Sequence, residues 1–175
     1  MSLQPVAAAL HRVKRVLERR PDTGLHDDAP ASARWERGVR SVASHANGTR
    51  IETDMSTEVG GTGDRVTPGW LFRAGIASCA VTTIAMRAAA EGIELSALEA
   101  HVGSRTDMRG ILDMPDVDGT RVPAGPREVH LRIRVAADGV APERLRAIVE
   151  RACGCSPIPS AVADATRLDV QIDIG

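Results

Sequence analysis

Aromatic side chains are nearly missing from this chain: one Phe, two Trp and no Tyr in 175 residues. Platforms on which successive bases stack need several such rings, so single-stranded nucleic acid is a poor fit as a partner. An excess of charge of one sign is missing too. The 22 Lys and Arg nearly cancel the 23 Asp and Glu, which removes the electrostatic footprint expected of a nucleic-acid or anionic-membrane binder. Cysteine is scarce and odd in number, three in all. No disulfide framework is called for, and no long apolar run follows His11, Arg12, Lys14 and Arg15 to make a secretory signal. Both facts favour the cytoplasm, where thiols stay reduced. The 13 uncharged residues between Arg73 and Arg87 are too few for the roughly 20 that cross a bilayer. Gly60, Gly61 and Gly63 are followed by no Gly-Lys-Ser/Thr and show no dinucleotide spacing, so they read as a hinge or turn rather than a phosphate cradle.

What is present organises around residues 67–92, TPGWLFRAGIASCAVTTIAMRAAAEG. Thr67 suits an N-cap, Pro68 falls where a missing N–H costs nothing, and Gly92-Ile93 supplies a left-handed stop with its apolar contact. The spacing predicts a helix buried on nearly every side. Ala74, Gly75, Ala77, Ser78 and Ala80 keep it thin, which suits close approach of a second backbone near Cys79. Before it, residues 5–20 place Val6, Leu10, Val13 and Leu17 on one face of an amphipathic helix that ends at Pro21 and Gly24. Its basic cluster is offset by Glu18, Asp22, Asp27 and Asp28 and reads as a solvated face. From Arg34 to Glu58 the helical period disappears, and Asn47-Gly48 marks a hairpin turn between two strands.

After the central helix, Leu98, Ala100 and Val102 alternate with polar residues, and Val129, Leu131, Ile133 and Val135 do so more cleanly. Between these strands the Gly-, Pro- and Asp-rich stretch from Asp107 to Arg127 is long for a hairpin and suggests a lid or rim. Asp116-Val117-Asp118-Gly119 lacks the later ligands of a calcium loop. Pro142 opens an amphipathic helix that stops at Gly154, a helical turn fits Ser160 to Ala165, and Leu168, Val170, Ile172 and Ile174 alternate as a last strand. The order describes an α+β domain with a mainly antiparallel sheet around a long buried central helix. Residues 1–24 form an N-terminal helical extension and 25–175 a single domain. So apolar a helix needs cover on more than one side, which implies a homodimer.

Pro68, Leu71, Ala74 and Ser78-Cys79, the alternating strand from Leu98, and a helix leading into Ser156-Pro157-Ile158-Pro159-Ser160-Ala161 together resemble the OsmC-like family, that of osmotically inducible protein C and the organic hydroperoxide resistance proteins. The resemblance runs from about Val39 to the C-terminus. It implies an OsmC-like fold, a tightly intertwined dimer, and reduction of organic hydroperoxides by thiol chemistry without a bound cofactor or metal. Its substrates would be a small hydroperoxide and a thiol reductant, with no nucleic acid or membrane as partner. Cys79 matches the family's peroxidatic position. A second thiol then condenses with the resulting sulfenic acid; the family's resolving position is Ser156 here, and the chain offers Cys155 one residue earlier, the first candidate, and Cys153 three earlier. An arginine from the N-terminal hairpin would activate Cys79, and Arg37 or Arg40 fits, with Arg37 preferred.

The chain departs from the pattern where a glutamate would orient that arginine: the two positions after the proline are Gly69 and Trp70. Trp70, with Phe72 and Ser156, would line the substrate pocket and narrow it with an apolar wall. Two other readings compete. Cys153, Cys155 and Cys79 with a histidine would make a zinc site, but the five histidines are scattered and none sits at ligand spacing. The other is a non-catalytic dimeric small-molecule binder or thiol redox sensor that kept the fold and Cys79 while turnover was lost with the glutamate.

Overall fold

The computed structural model describes residues 4–174. Its elements run α1 (Gln4–Arg19), β1 (Ser32–Arg37), β2 (Arg40–Ser44), β3 (Arg50–Thr53), α2 (Pro68–Ala90), β4 (Ala97–Arg105), α3 (Met108–Ile111), β5 (Glu128–Ala136), α4 (Pro142–Gly154) and α5 (Pro157–Ala163). The chain gathers into two compact units. One is His11–Ala74, and the other holds the start of α1 and everything from Gly75 onward. The architecture is mixed helix and antiparallel sheet.

In the first unit β1, β2 and β3 form an antiparallel meander. Asn47-Gly48 does turn β2 into β3, with Gly48 at positive φ and the Asn47 side chain accepting from the Thr49 N–H at 2.9 Å. β1 is a strand that periodicity does not announce. All six of its residues are exposed, so no apolar alternation marks it, and it is held by its ladder to β2 and by a turn at Gly38, which takes φ 51°. The following loop folds tightly on itself: a Cβ at Gly61 would stand 1.9 Å from the Met55 carbonyl oxygen. Only glycine fits there.

Both ends of α2 form as the sequence dictates. The Trp70 N–H donates to Thr67 Oγ1 at 3.1 Å, Pro68 is the first helical residue, and Gly92 takes φ 68°. Ile93 N–H reaches back to the Ala88 carbonyl at 2.9 Å and Gly92 N–H to Ala89 at 3.0 Å, the paired bonds of a Schellman stop. Within the single chain, burial follows one seam, Ile76, Ala80, Ile84 and Ala88, joined by Ala89. That four-residue spacing is one stripe of a helix. Elsewhere on α2, Trp70, Phe72 and Met86 are exposed. Length and composition alone would pass α2 for a membrane span, with Arg73 and Arg87 within it. Around Ala88 the core continues through Ile93 and Ile148, with Leu95, Ala137 and Val140 against it.

The second unit's sheet is β4 paired antiparallel with β5, in register from Ala97 opposite Ala136 to Arg105 opposite Glu128. The expected alternation is present in both strands, with Leu98, Ala100, Val102, Leu131, Ile133 and Val135 half-buried and Glu99, His101, Arg132 and Arg134 exposed. The connection between them is more structured than a bare loop. Asp107 caps α3 by accepting from the Arg109 N–H, and a bridge joins Pro115 to Arg121. α4 buries Leu145, Ile148 and Ala152. The last alternating segment differs from its pattern: residues 166–174 carry no strand hydrogen bonds among the described residues, and Leu168, Val170, Ile172 and Ile174 are each at least 74% exposed. A strand exists only by its partner's ladder, and none of the described residues offers one to this segment.

Candidate functional site

Cys79 sits in the middle of α2, one residue before the buried Ala80, and is partly exposed. The turn between α4 and α5 crosses it. Gly154 and Cys155 end α4, and Pro157 at the first position of α5 fixes where the new helix begins. The residue between, Ser156, occupies the N-cap position yet makes no capping bond with its side chain. Its hydroxyl instead donates to Cys79 Sγ at 3.2 Å. Ser156 is fully buried, so water does not compete for that proton.

One helical turn beyond Cys79, Thr83 completes the group. Its hydroxyl donates to the Cys79 carbonyl at 2.9 Å and lies 3.3 Å from Ser156 Oγ. Thr83 shares the Cys79 face by its four-residue spacing, a signal legible in the sequence and overlooked there. Gly75, one turn on the other side, faces Ile158 of α5: a Cβ there would be 3.6 Å from Ile158 Cδ1. The arrangement can hold a sulfur atom between an apolar helix and one fixed O–H donor, partly open to solvent.

Of the residues singled out from sequence, the structure brings Cys79 and Ser156 together across 77 positions. Cys155 is exposed, and its recorded contact is with Arg87, whose Nη2 lies 3.9 Å from Cys155 Sγ. Arg87 was not anticipated. Cys153 is partly buried, and burial pushes its thiol above the ordinary value. All three cysteines are free thiols. Among the described residues no three His, Cys, Asp or Glu side chains gather into a group that could hold a metal ion. Trp70 is 48% and Phe72 37% exposed; both belong to the unit that does not contain Cys79.

The two candidate arginines have different surroundings. Arg40 is buried, and its Nη2 donates to Asp54 Oδ2 at 2.9 Å and to Thr62 Oγ1 at 2.7 Å, with Asp64 in the same cluster. Asp54, also buried, takes further bonds from the Met55 N–H, the Thr62 N–H and the Thr62 hydroxyl. The Thr62 hydroxyl and then Arg40 hold its carboxyl far below the usual range. Arg40 thus fixes the loop that carries Gly60 and Gly61. Arg37 is exposed at the β1–β2 turn. It lines, with Arg40, Asp54 and Thr62, a cavity of about 170 Å³, and among the described residues it has no recorded ion pair. Of these two, Arg37 is the one with no ion pair among the described residues.

Comparison with known proteins gives a family and a fold. A family model described as OsmC-like protein matches residues 61–171. No curated protein matches the chain significantly. Solved structures do. An OsmC-like protein from Mycoplasma pneumoniae superposes with a TM-score of 0.65 at 16% identity, covering 79% of this chain and 89% of that one. An organic hydroperoxide resistance protein OsmC from Legionella pneumophila gives 0.58 at 21% identity, over 78% and 91%. An organic hydroperoxide resistance protein from Elizabethkingia anophelis gives 0.57 at 21%, over 79% and 91%. At these identities the likeness to the solved structures is one of fold.

Proposed function

Because the chain belongs to the OsmC-like family, whose model spans residues 61–171, we propose that it reduces organic hydroperoxides at the expense of a thiol, with Cys79 as the reacting group. The observation that carries this reading is the Ser156 hydroxyl aimed at Cys79 Sγ from 3.2 Å. A hydrogen-bond donor fixed beside a sulfur favours the states in which that sulfur carries negative charge, as an attacking thiolate does. Two of the similar solved structures are of organic hydroperoxide resistance proteins, which supports the choice of substrate class. The thiol supply this reaction needs is that of the cytoplasm.

The working unit in this proposal is a homodimer. The exposed side chains of α2 and the unpaired alternation of Leu168, Val170, Ile172 and Ile174 are apolar surface with no cover in one chain, and a second copy supplies both a packing face and a strand partner.

A second reading has one observation in its favour. The first turn of α2 contains no acidic residue, so nothing at Gly69 or Trp70 can orient an arginine, and a chain that reacts once and stops would act as a thiol sensor or binder. Incubation with cumene hydroperoxide and excess dithiothreitol separates the two. Many equivalents of peroxide consumed per chain, abolished in Cys79→Ser, fits the peroxidase; about one equivalent fits the sensor; unchanged turnover in Cys79→Ser refutes both roles for Cys79.

A further inference from the structure

The group beside Cys79 is a hydroxyl, and among the described residues its proton has no acceptor other than the sulfur. Ser156 stands at the N-cap of α5 but leaves capping undone, is fully buried, and directs its proton at Cys79 Sγ. Thr83, the remaining polar side chain in the group, spends its proton chiefly on the Cys79 carbonyl at 2.9 Å. Neither other cysteine has a recorded contact with Cys79 among the described residues. Cys155, next to Ser156 in sequence, is displaced along α2 to Arg87, two helical turns beyond Cys79, and Cys153 is partly buried one turn back in α4.

Resting on the peroxidase reading, we infer that Cys79 works through a one-cysteine cycle: Ser156 holds the oxidised sulfur as a sulfenic acid, and a small external thiol, not Cys155, resolves it. The Cys79 thiolate attacks the terminal peroxide oxygen; an S–O bond forms, the O–O bond breaks, and the alkoxide leaves as the alcohol after taking a proton. Sulfur is oxidised by two electrons and the peroxide reduced by two. The Ser156 O–H, already aimed at sulfur, donates to the sulfur-oxygen group. A first small thiol then attacks the sulfenic sulfur, forming S–S while the oxygen leaves as water. A second attacks the mixed disulfide, frees Cys79 and departs as the oxidised small-molecule disulfide. Two external thiols and one peroxide are consumed per turn. The external thiol reaches Cys79 because its side chain is partly open to solvent.

The test is mass spectrometry with peptide mapping of the full chain after one equivalent of cumene hydroperoxide, with dimedone as the sulfenic-acid trap, and separately with added 2-mercaptoethanol. The expected products are the dimedone adduct on Cys79 and, in the second arm, its mixed disulfide. A disulfide from Cys79 to Cys155 or Cys153, within a chain or between two, formed in place of the adduct would overturn the one-cysteine cycle and leave the peroxidase reading standing. No product at Cys79 in either arm would overturn the peroxidase reading, and the inference with it. Ser156→Cys provides a second measurement. A sulfur in place of an oxygen now 3.2 Å from Sγ lies within easy reach of bonding, so this variant is expected to lose about two mass units on oxidation and to shed most of the dimedone adduct. An adduct as abundant as in the parent protein would show that residue 156 does not face the reacting sulfur.

Discussion

Replacing Ser156 with alanine separates a chemical role from a structural one, because the two have different sizes. On the structural side the loss is small. The side chain makes no capping bond, so alanine forfeits none of the stability a cap confers. Its backbone bonds, N–H to Cys153 and carbonyl to the Ser160 N–H, stay. Thr83 keeps its bond to the Cys79 carbonyl, so no buried donor is orphaned. What goes is one neutral O–H to sulfur bond and the longer 3.3 Å contact from Thr83 Oγ1, which keeps its shorter bond to the Cys79 carbonyl; together they are worth about 1 kcal/mol, which shifts a urea midpoint by roughly half a molar unit. On the chemical side the same donor faces a charged sulfur during attack, and a hydrogen bond to a charged group is worth about 1.5–3 kcal/mol. Sulfur is a diffuse acceptor, so the lower end applies, and kcat/KM for cumene hydroperoxide should fall about tenfold. The measurements are peroxide consumption under excess thiol and urea unfolding followed by circular dichroism. A midpoint shift of that size with kcat/KM unchanged within twofold would make Ser156 a packing residue and remove the observation on which the functional reading rests.

Gly69→Glu should fold and gain activity: a Cβ there would meet only Arg73 Nη1 at 3.7 Å and Thr67 Oγ1 at 3.8 Å, both ordinary contacts, and an acid in the first turn of α2 favours the helix by about 0.3–1 kcal/mol. Thermal melting and kcat/KM check both halves, and a stable variant with no rise in turnover would show that the missing acid does not limit the reaction. Gly61→Ala, by contrast, drives a methyl to 1.9 Å from the Met55 carbonyl and should lower stability by about 1–3 kcal/mol through displaced backbone; a midpoint equal to the parent's would contradict the loop geometry. Acid should unfold the chain partly through Asp107, whose carboxyl is held down to about 2, first by the Arg109 side chain. A depressed carboxyl contributes its stability above the unfolded value near 3.9 and loses it as pH falls toward 2, so urea midpoints should drop from pH 5 to pH 2 and drop less in Asp107→Asn. Equal acid slopes would refute that pairing.

The amino-acid sequence determined the features whose causes are local. Thr67, Pro68 and Gly92-Ile93 set the ends of α2 by bonds that close within a few residues, and Asn47-Gly48 does the same for the β2–β3 hairpin. Alternation in β4 and β5 and the Pro142 start of α4 are equally local, and the Cys79 motif carries the family. Tertiary structure decided the rest. β1 has no apolar face to betray it and exists through its ladder to β2, while residues 166–174 have the alternation of a strand and no ladder among the described residues. Four-residue spacing made Thr83 visible in principle. Nothing in the sequence could show that Arg40 is buried against Asp54 while Arg37 stays exposed. Nor could it show that Ser156, 77 residues from Cys79, turns its hydroxyl to the sulfur while Cys155 turns to Arg87. Arg40 is buried by the loop that carries Asp54, Thr62 and Asp64, and the Ser156 and Cys155 outcomes depend on where the α4–α5 turn crosses α2. Packing between distant segments sets that crossing, and no short-range rule encodes it.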